Sequence, residues 1–312
     1  MKFYKMLLTD KLFTLSVIFL LSNHLSFSQN YHFDNYSVKE GLAQSSVYYI
    51  VQDNNGYIWL GTASGLSRFD GKEFINYTTE DGLADGAVKT IYIDSAGILW
   101  LGHVDGGVSR MSARAGTVGK NNKIEIVLSM SADITSFAED DEGNLWVSSF
   151  GDGVIKITDP YLATKKSISF KQYKGQEGLS DVVFQITKIQ NGNIYFITDV
   201  GIKNYNYQKN SFSFYKVNNL PTYFQITYLY EAKNQDQWFG SYNGGLYHYN
   251  KASGDLKIYD VRDGLASNWV STIYEDTKSN IWIGTWGGGV SIINNSKITT
   301  INKAKGLVDN NI

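Results

Sequence analysis

The chain has 312 residues, 43% of them hydrophobic, and a formal charge of −2. That is enough apolar chain for a sizeable core, and so balanced a charge argues against a general electrostatic grip on DNA or RNA. Cysteine is absent, which excludes disulfides, thiolate nucleophiles and Cys-ligated zinc.

In chain order, residues 1–28 read as an export signal. Lys2, Lys5 and Lys11 precede or flank an apolar run over residues 12–21, and Ser26-Phe27-Ser28 offers a small-x-small cleavage site before Gln29. The run is shorter than a membrane span requires. A soluble mature chain from about residue 29 is expected in the periplasm, with secretion as the alternative.

Repeats come next. Asp53-Asn54-Asn55-Gly56-Tyr57-Ile58-Trp59-Leu60-Gly61-Thr62 precedes Gly65-Leu66, and Asp94-Ser95-Ala96-Gly97-Ile98-Leu99-Trp100-Leu101-Gly102 precedes Gly107-Val108. Further copies centre on Trp146, Tyr195, Trp238 and Trp282, so the six anchors are spaced by 41, 46, 49, 43 and 44 residues. Apolar residues alternate with polar or small ones in short runs, as in Val47-Tyr49-Val51, and glycine punctuates every run. With 30 Gly, 2 Pro and 14% aromatics, short strands and tight turns are favoured over helices.

A period of this length with this alternation predicts an all-β propeller of four-stranded blades. Strand A is expected at residues 46–52 or 270–275, strand B at 57–61, strand C at 66–69, and strand D at 74–77, 257–259 or 297–301. The anchors Trp59, Trp100, Trp146, Tyr195, Trp238 and Trp282 should fill the space between stacked blades. Six blades occupy about residues 41–304. Residues 31–36 read as a spare outer strand, and 305–312 as the start of a seventh blade. The expected architecture is therefore a seven-bladed ring truncated at the C-terminus.

The repeat unit runs Gly-Leu, an apolar strand, Asp-x-x-Gly, apolar-Trp-apolar-Gly-Thr, then Gly-Leu or Gly-Val. It resembles the two-component regulator propeller repeat over about residues 31–312, most closely at Glu40-Gly41-Leu42, at residues 58–62 and at 281–285. The fourth copy departs, with Tyr195-Phe196 in place of Trp, and the fifth lacks Gly in its A–B turn, Asn234-Gln235-Asp236. The resemblance implies the periplasmic sensor region of a sensor histidine kinase, including hybrid sensors of the Bacteroidetes. It also implies an oligosaccharide ligand, and a homodimer at the level of the full-length sensor. In such proteins the membrane helix and kinase modules lie downstream. Kinase activity and membrane contact would belong to a longer parent, and this chain is read as non-enzymatic.

Strand order places the D–A and B–C loops on one face, where side chains vary from blade to blade. Candidate ligand contacts there are His103, Asp105, Phe150, Asp152, Asp199, Tyr242, Asn243, Trp269 and Trp286. Aromatic faces suit the apolar side of a sugar ring, and carboxylates and amides suit its hydroxyls. Two other functions stay open: a lyase or glycan hydrolase using His103, Asp105 and Asp152, and a protein-binding scaffold. No metal or cofactor is expected. The histidines lack ligand spacing, Asp140-Asp141-Glu142-Gly143 lacks the alternation of a calcium loop, and Gly287-Gly288-Gly289 leads into a strand and not a helix.

Overall fold

The computed structural model describes residues 33–112, 123–161, 168–221 and 225–312. The proposed export signal lies outside these residues. The fold is that of the unit Asp34–Ile312.

Among the described residues, 24 strands form six antiparallel sheets, each paired in sequence order. Blade 1 holds β1 (Val47–Gln52), β2 (Ile58–Thr62), β3 (Gly65–Phe69) and β4 (Phe74–Tyr77). Blade 2 holds β5 (Val88–Ile93), β6 (Ile98–His103), β7 (Gly107–Ser112) and β8 (Ile124–Ser129). Blade 3 holds β9 (Ile134–Glu139), β10 (Leu145–Ser149), β11 (Val154–Thr158) and β12 (Ser169–Tyr173). Blade 4 holds β13 (Val183–Lys188), β14 (Ile194–Thr198), β15 (Gly201–Asn206) and β16 (Ser211–Phe214). Blade 5 holds β17 (Ile226–Glu231), β18 (Gln237–Ser241), β19 (Leu246–Tyr249) and β20 (Leu256–Tyr259). Blade 6 holds β21 (Val270–Glu275), β22 (Ile281–Thr285), β23 (Gly289–Asn294) and β24 (Lys297–Ile301). The inner strands β1, β5, β9, β13, β17 and β21 pack on one another in that order. The architecture is a β-propeller of six four-stranded blades, the six complete blades that the repeat predicts.

The core lies between blades. Trp59, Leu66 and Tyr77 of blade 1 pack against Val88, Ile91, Leu99, Leu101 and Met111 of blade 2. The same arrangement joins blades 2 and 3 around Trp100 and blades 3 and 4 around Trp146. Blades 4 and 5 meet around Tyr195, and blades 5 and 6 around Trp238. Each seam sets the Trp face of one blade against the aliphatic face of the next. Neither face could be buried by an isolated sheet, so adjacent repeats stabilise each other.

Each Trp is also tied to the turn before it. Asp94 Oδ1 accepts the N–H groups of Ala96 and Ile98 at 3.0 and 2.8 Å, while Oδ2 accepts the Trp100 indole N–H at 2.8 Å. Asp53 holds Trp59, Asp140 holds Trp146 and Asp276 holds Trp282 in the same way, at 2.8–3.0 Å. The Trp282 indole, Asn280 and the turn N–H groups keep the Asp276 carboxyl far below the usual carboxylate range. One carboxylate thus satisfies both a tight turn and a buried indole, which is why the repeat needs Asp six residues before Trp.

Blades 4 and 5 lack this Asp, with Ile189 and Ala232 in its place. Blade 5 compensates: His248 stacks on Trp238 at 3.9 Å, and its Nε2 lies 2.8 Å from Asp236 Oδ2. Replacing Asp94 by Ala should remove three bonds to a carboxylate and leave a buried indole N–H unpaired. The expected loss is about 2 kcal/mol of stability, read from urea unfolding. A loss below about 0.5 kcal/mol would show that the turn holds itself.

The Gly after Trp-x is set by close approach. A Cβ on Gly61 would lie 2.6 Å from the Val88 carbonyl oxygen, and one on Gly102 would lie 2.5 Å from Ile134 Cγ2. The first residue of the next blade's inner strand occupies that slot. The Gly-Leu element closes a one-turn 3-10 helix that sequence reading did not foresee. Ser37, Thr78 and Asp260 cap such turns, and Gly41, Gly82 and Gly264 end them at φ of 106°, 107° and 101°.

Two expectations need correction. Of the expected spare strand, Tyr31 and His32 lie outside the described residues, and Phe33–Tyr36 have no strand conformation. Trp282 was expected to be buried like the other anchors but is only half-buried, whereas the other five are at most 5% exposed. The reason is that no blade among the described residues packs on its outer face.

Candidate functional site

Six equivalent hydrogen bonds fix which loops share a face. In every blade the residue opening the B–C loop donates its N–H to a carbonyl just before or at the start of the inner strand. The pairs are Ala63 to Ser46, Val104 to Ala87, Phe150 to Asp133, Asp199 to Val182, Tyr242 to Gln225 and Trp286 to Trp269, at 2.9–3.4 Å. The D–A and B–C loops therefore form one rim, as strand order predicts.

Around this rim the side chains change from small to aromatic. Blades 1 and 2 present Ala63, Ser46, Val104 and Ala87, whereas blades 5 and 6 present Tyr242, Trp269 and Trp286. The Tyr242 and Trp269 rings lie 4.4 Å apart, and those of Trp269 and Trp286 5.4 Å apart. Tyr242 is 50% exposed and Trp286 53% exposed, with Trp269 half-buried between them. Large rings rarely stay half in water without a partner surface, so this platform is the strongest candidate on the rim. Asn243 is exposed beside Tyr242.

The platform continues towards blade 4. Gln225, which accepts the Tyr242 N–H, also lines a cavity of about 400 Å³. Asp199, Val200, Phe214, Lys216 and Leu220 form other parts of its wall. Asp199 is exposed and accepts the Ser180 hydroxyl at 2.5 Å. On blade 3, Phe150 is 52% exposed and its ring sits 5.8 Å from that of Phe184. It stands apart from the aromatic run of blades 5 and 6.

The remaining candidates are placed differently. His103 is fully buried, with Nε2 3.1 Å from Ser109 Oγ, and burial pushes its pKa down. It stands where the other blades carry Thr62, Ser149, Thr198, Ser241 and Thr285, short hydroxyls that bond within the B–C loop. Its expected position on the binding face is corrected to a loop support. Asp152 is 7% exposed; its carboxylate accepts the Ser131 N–H at 3.0 Å and pairs with Lys174. Burial opposes its ionisation, but Lys174 and Ser131 outweigh that, and its pKa is lowered. Its carboxylate is thus committed to the fold. Asp105 is exposed. These three do not assemble into an acid–base set.

Sequence reading missed the Lys89–Asp133 pair, 2.5 Å apart, at the inner end of this rim. It also missed Gln225 and Lys216 in the cavity wall. Neither has any local sequence signal, because the contacts join different blades or a loop of no fixed pattern. Among the described residues no group of His, Asp or Glu is arranged to hold a metal ion, and no helix is long and apolar enough to cross a membrane.

Comparison with known proteins fits this architecture. No curated protein matches the chain. It is similar to the extracellular domain of BT3049 from B. thetaiotaomicron, described as a hybrid two component system, with 22% identity over 90% of this chain and 42% of that one, TM-score 0.47. It is similar to virginiamycin B lyase from Staphylococcus aureus, with 14% identity over 82% and 84% of the two chains, TM-score 0.62. It is also similar to PorZ, a surface component of the type-IX secretion system of Porphyromonas gingivalis, with 18% identity over 81% and 38%, TM-score 0.61. The chain spans 37% and 42% of the two extracellular domains from B. thetaiotaomicron that head these matches. For the lyase and PorZ, with TM-scores of 0.62 and 0.61, the likeness at such identities is one of fold.

Three of the repeats match a family model. Residues 41–64, 129–151 and 264–287 match the model described as two component regulator propeller, each running from the D–A connection through strand B into the B–C loop. Those stretches contain the Asp–Trp tie and the B–C loop hydroxyl in blades 1, 3 and 6, and the close-approach glycine in blades 1 and 6. The chain is a β-propeller, and three of its stretches match the two component regulator propeller model.

Proposed function

We propose that this propeller is the exported, ligand-binding part of a two-component sensor, and that it recognises an oligosaccharide on the rim of blades 4–6. The observation that carries the reading is the run Tyr242–Trp269–Trp286. Two half-exposed rings flank a third, and a cavity containing Asp199, Lys216 and Gln225 adjoins them. Adjacent tilted rings offer apolar faces to successive pyranoses, and the neighbouring polar groups offer partners for their hydroxyls. The signal-like residues 1–28 support a periplasmic location. Signal output would come from modules of a longer parent, and this chain binds without catalysing.

The test is a panel of neutral and acidic oligosaccharides titrated against the purified protein, followed by thermal shift and tryptophan emission. At least one should stabilise the wild type. Trp286→Ala should weaken that ligand about tenfold or more, equivalent to ~1.4 kcal/mol, while moving the ligand-free melting temperature little. Unchanged affinity in Trp286→Ala would remove the platform from the site. Binding of no sugar, together with saturable capture of a peptide or protein, would replace the reading with a scaffold.

A further inference from the structure

Four of the seams between blades are plugged near the rim by one apolar side chain from the D–A connection. Leu83 plugs the seam of blades 1 and 2, Met130 that of 2 and 3, Leu179 that of 3 and 4, and Leu265 that of 5 and 6. All four are at most 6% exposed. Among the described residues, the seam of blades 4 and 5 has no such plug. Leu42, Leu83 and Leu265 stand five residues before the inner strand of their blade; five residues before Ile226 the chain carries Pro221, which is half-buried. Val217 and Leu220 of the same connection are also only half-buried.

The cavity of about 400 Å³ lies at this unplugged seam. Protein interiors hold few voids larger than a water molecule, so a space of this size, where four equivalent places are filled, is a site and not a packing fault. Val200, Ile202, Phe214, Val217, Leu220 and Pro221 give it an apolar wall. Val200 and Phe214 are 54% and 55% exposed. At the repeat position of Phe214, blades 1, 3 and 6 carry the polar Asn76, Gln172 and Thr300. The Lys203 ammonium lies 3.4 Å from the Phe214 ring centre and holds that ring in place. Lys216 and Gln225, both exposed, add a cation and an amide. The Gln225 carbonyl also accepts the Tyr242 N–H, which joins the cavity to the aromatic platform.

We infer that this cavity is a subsite for an aromatic acyl group carried by the oligosaccharide, of the hydroxycinnamoyl ester type. The aromatic ring takes the place of the missing plug and packs against Phe214. Gln225 and Lys216 serve the ester carbonyl and the phenol. The class follows by contrast. A bare sugar unit would leave hydroxyls unpaired against the apolar wall. An aliphatic chain would forgo the ring-to-ring contact with Phe214. Attachment to a sugar rests on the proposed function; the preference of the cavity for an aromatic ester does not.

The probes are methyl 4-hydroxycinnamate and a xylo-oligosaccharide with and without a hydroxycinnamoyl ester, titrated into the purified protein and followed by ligand-observed NMR and calorimetry. The methyl ester should bind with a Kd of about 1 mM, usual for a molecule of its size. Val200→Glu sets a charge in the wall at an exposed position, and Pro221→Leu restores the plug. Each should weaken the methyl ester at least about fivefold without lowering the melting temperature. Trp286→Ala should leave its affinity unchanged. The esterified oligosaccharide should bind at least about tenfold tighter than the bare one, and Val200→Glu should erase the difference. Four outcomes would overturn the inference: no binding of the methyl ester at about 10 mM, unchanged affinity in both cavity variants, loss of binding in Trp286→Ala, or equal affinity for the two oligosaccharides. If the methyl ester binds in the cavity and no bare sugar binds at all, the platform reading fails and the class assigned to the cavity stands.

Discussion

Trp146→Ala should be the most destabilising single truncation in the chain, at about 4 kcal/mol by comparison with large-to-small changes of buried aromatics. Trp146 is fully buried, and its indole N–H is bonded to Asp140 at 2.8 Å. Its ring lies 5.6 Å from Tyr173, 5.3 Å from Phe196 and 4.9 Å from Tyr205. Phe196 and Tyr205 belong to the next blade, so the truncation would open a cavity in a seam and not merely inside one sheet. It would also leave the Asp140 carboxylate short of a donor. Urea unfolding followed by circular dichroism measures the loss. The matched control is Trp286→Ala, the same chemical change on a half-exposed ring, which should cost about 0.5 kcal/mol or less. Similar losses in the two variants would mean that burial in the seams does not govern stability.

Gly245→Ala should cost about 3 kcal/mol. Gly245 has φ of +80°, where an L side chain is disfavoured by roughly 1–2 kcal/mol. A Cβ there would also stand 2.3 Å from the Tyr259 carbonyl oxygen, a backbone atom with little freedom to retreat. Overpacking of this kind adds about 1–3 kcal/mol. The same glycine donates its N–H to Asn268, so the clash would loosen the connection between blades 5 and 6 beneath the aromatic platform. Gly97→Ala separates the two contributions. Its φ is +79°, yet nothing lies within 4 Å of the added carbon. It should lose only about 1–2 kcal/mol. Equal losses would assign the whole effect to backbone strain and none to the close approach.

The rim shows how one scaffold separates stability from recognition. Thr62, Thr198, Ser241 and Thr285 close their B–C loops with the same hydroxyl-to-carbonyl bond. With the loop thus fixed from below, the next residue is free to vary, and it is Ala63, Val200's neighbour Asp199, Tyr242 or Trp286 according to blade. Variation on a rigid base is the physical condition for a binding face.

The sequence alone determined the blades. Trp spacing, period-two alternation and Asp-x-x-Gly turns are local signals, and they placed β4, β21 and β24 at their observed residues. The buried roles of Trp59, Trp100, Trp146, Tyr195 and Trp238 followed from the same repeat. The face shared by the D–A and B–C loops was also legible, because antiparallel order leaves no other arrangement. What only the tertiary structure decided depends on contacts between blades. His103 looked like a rim residue, yet its repeat position is buried in every blade, held by Thr or Ser elsewhere, and its ring meets Ser109 there. Asp152 looked available until Lys174, 22 residues away, was seen to hold it. Trp269 became a neighbour of Tyr242, with Trp286 beyond it, only when two repeats stacked. Local pattern sets the shape of each sheet; which side chains meet, and which stay in water, is set by the stacking of one sheet on the next.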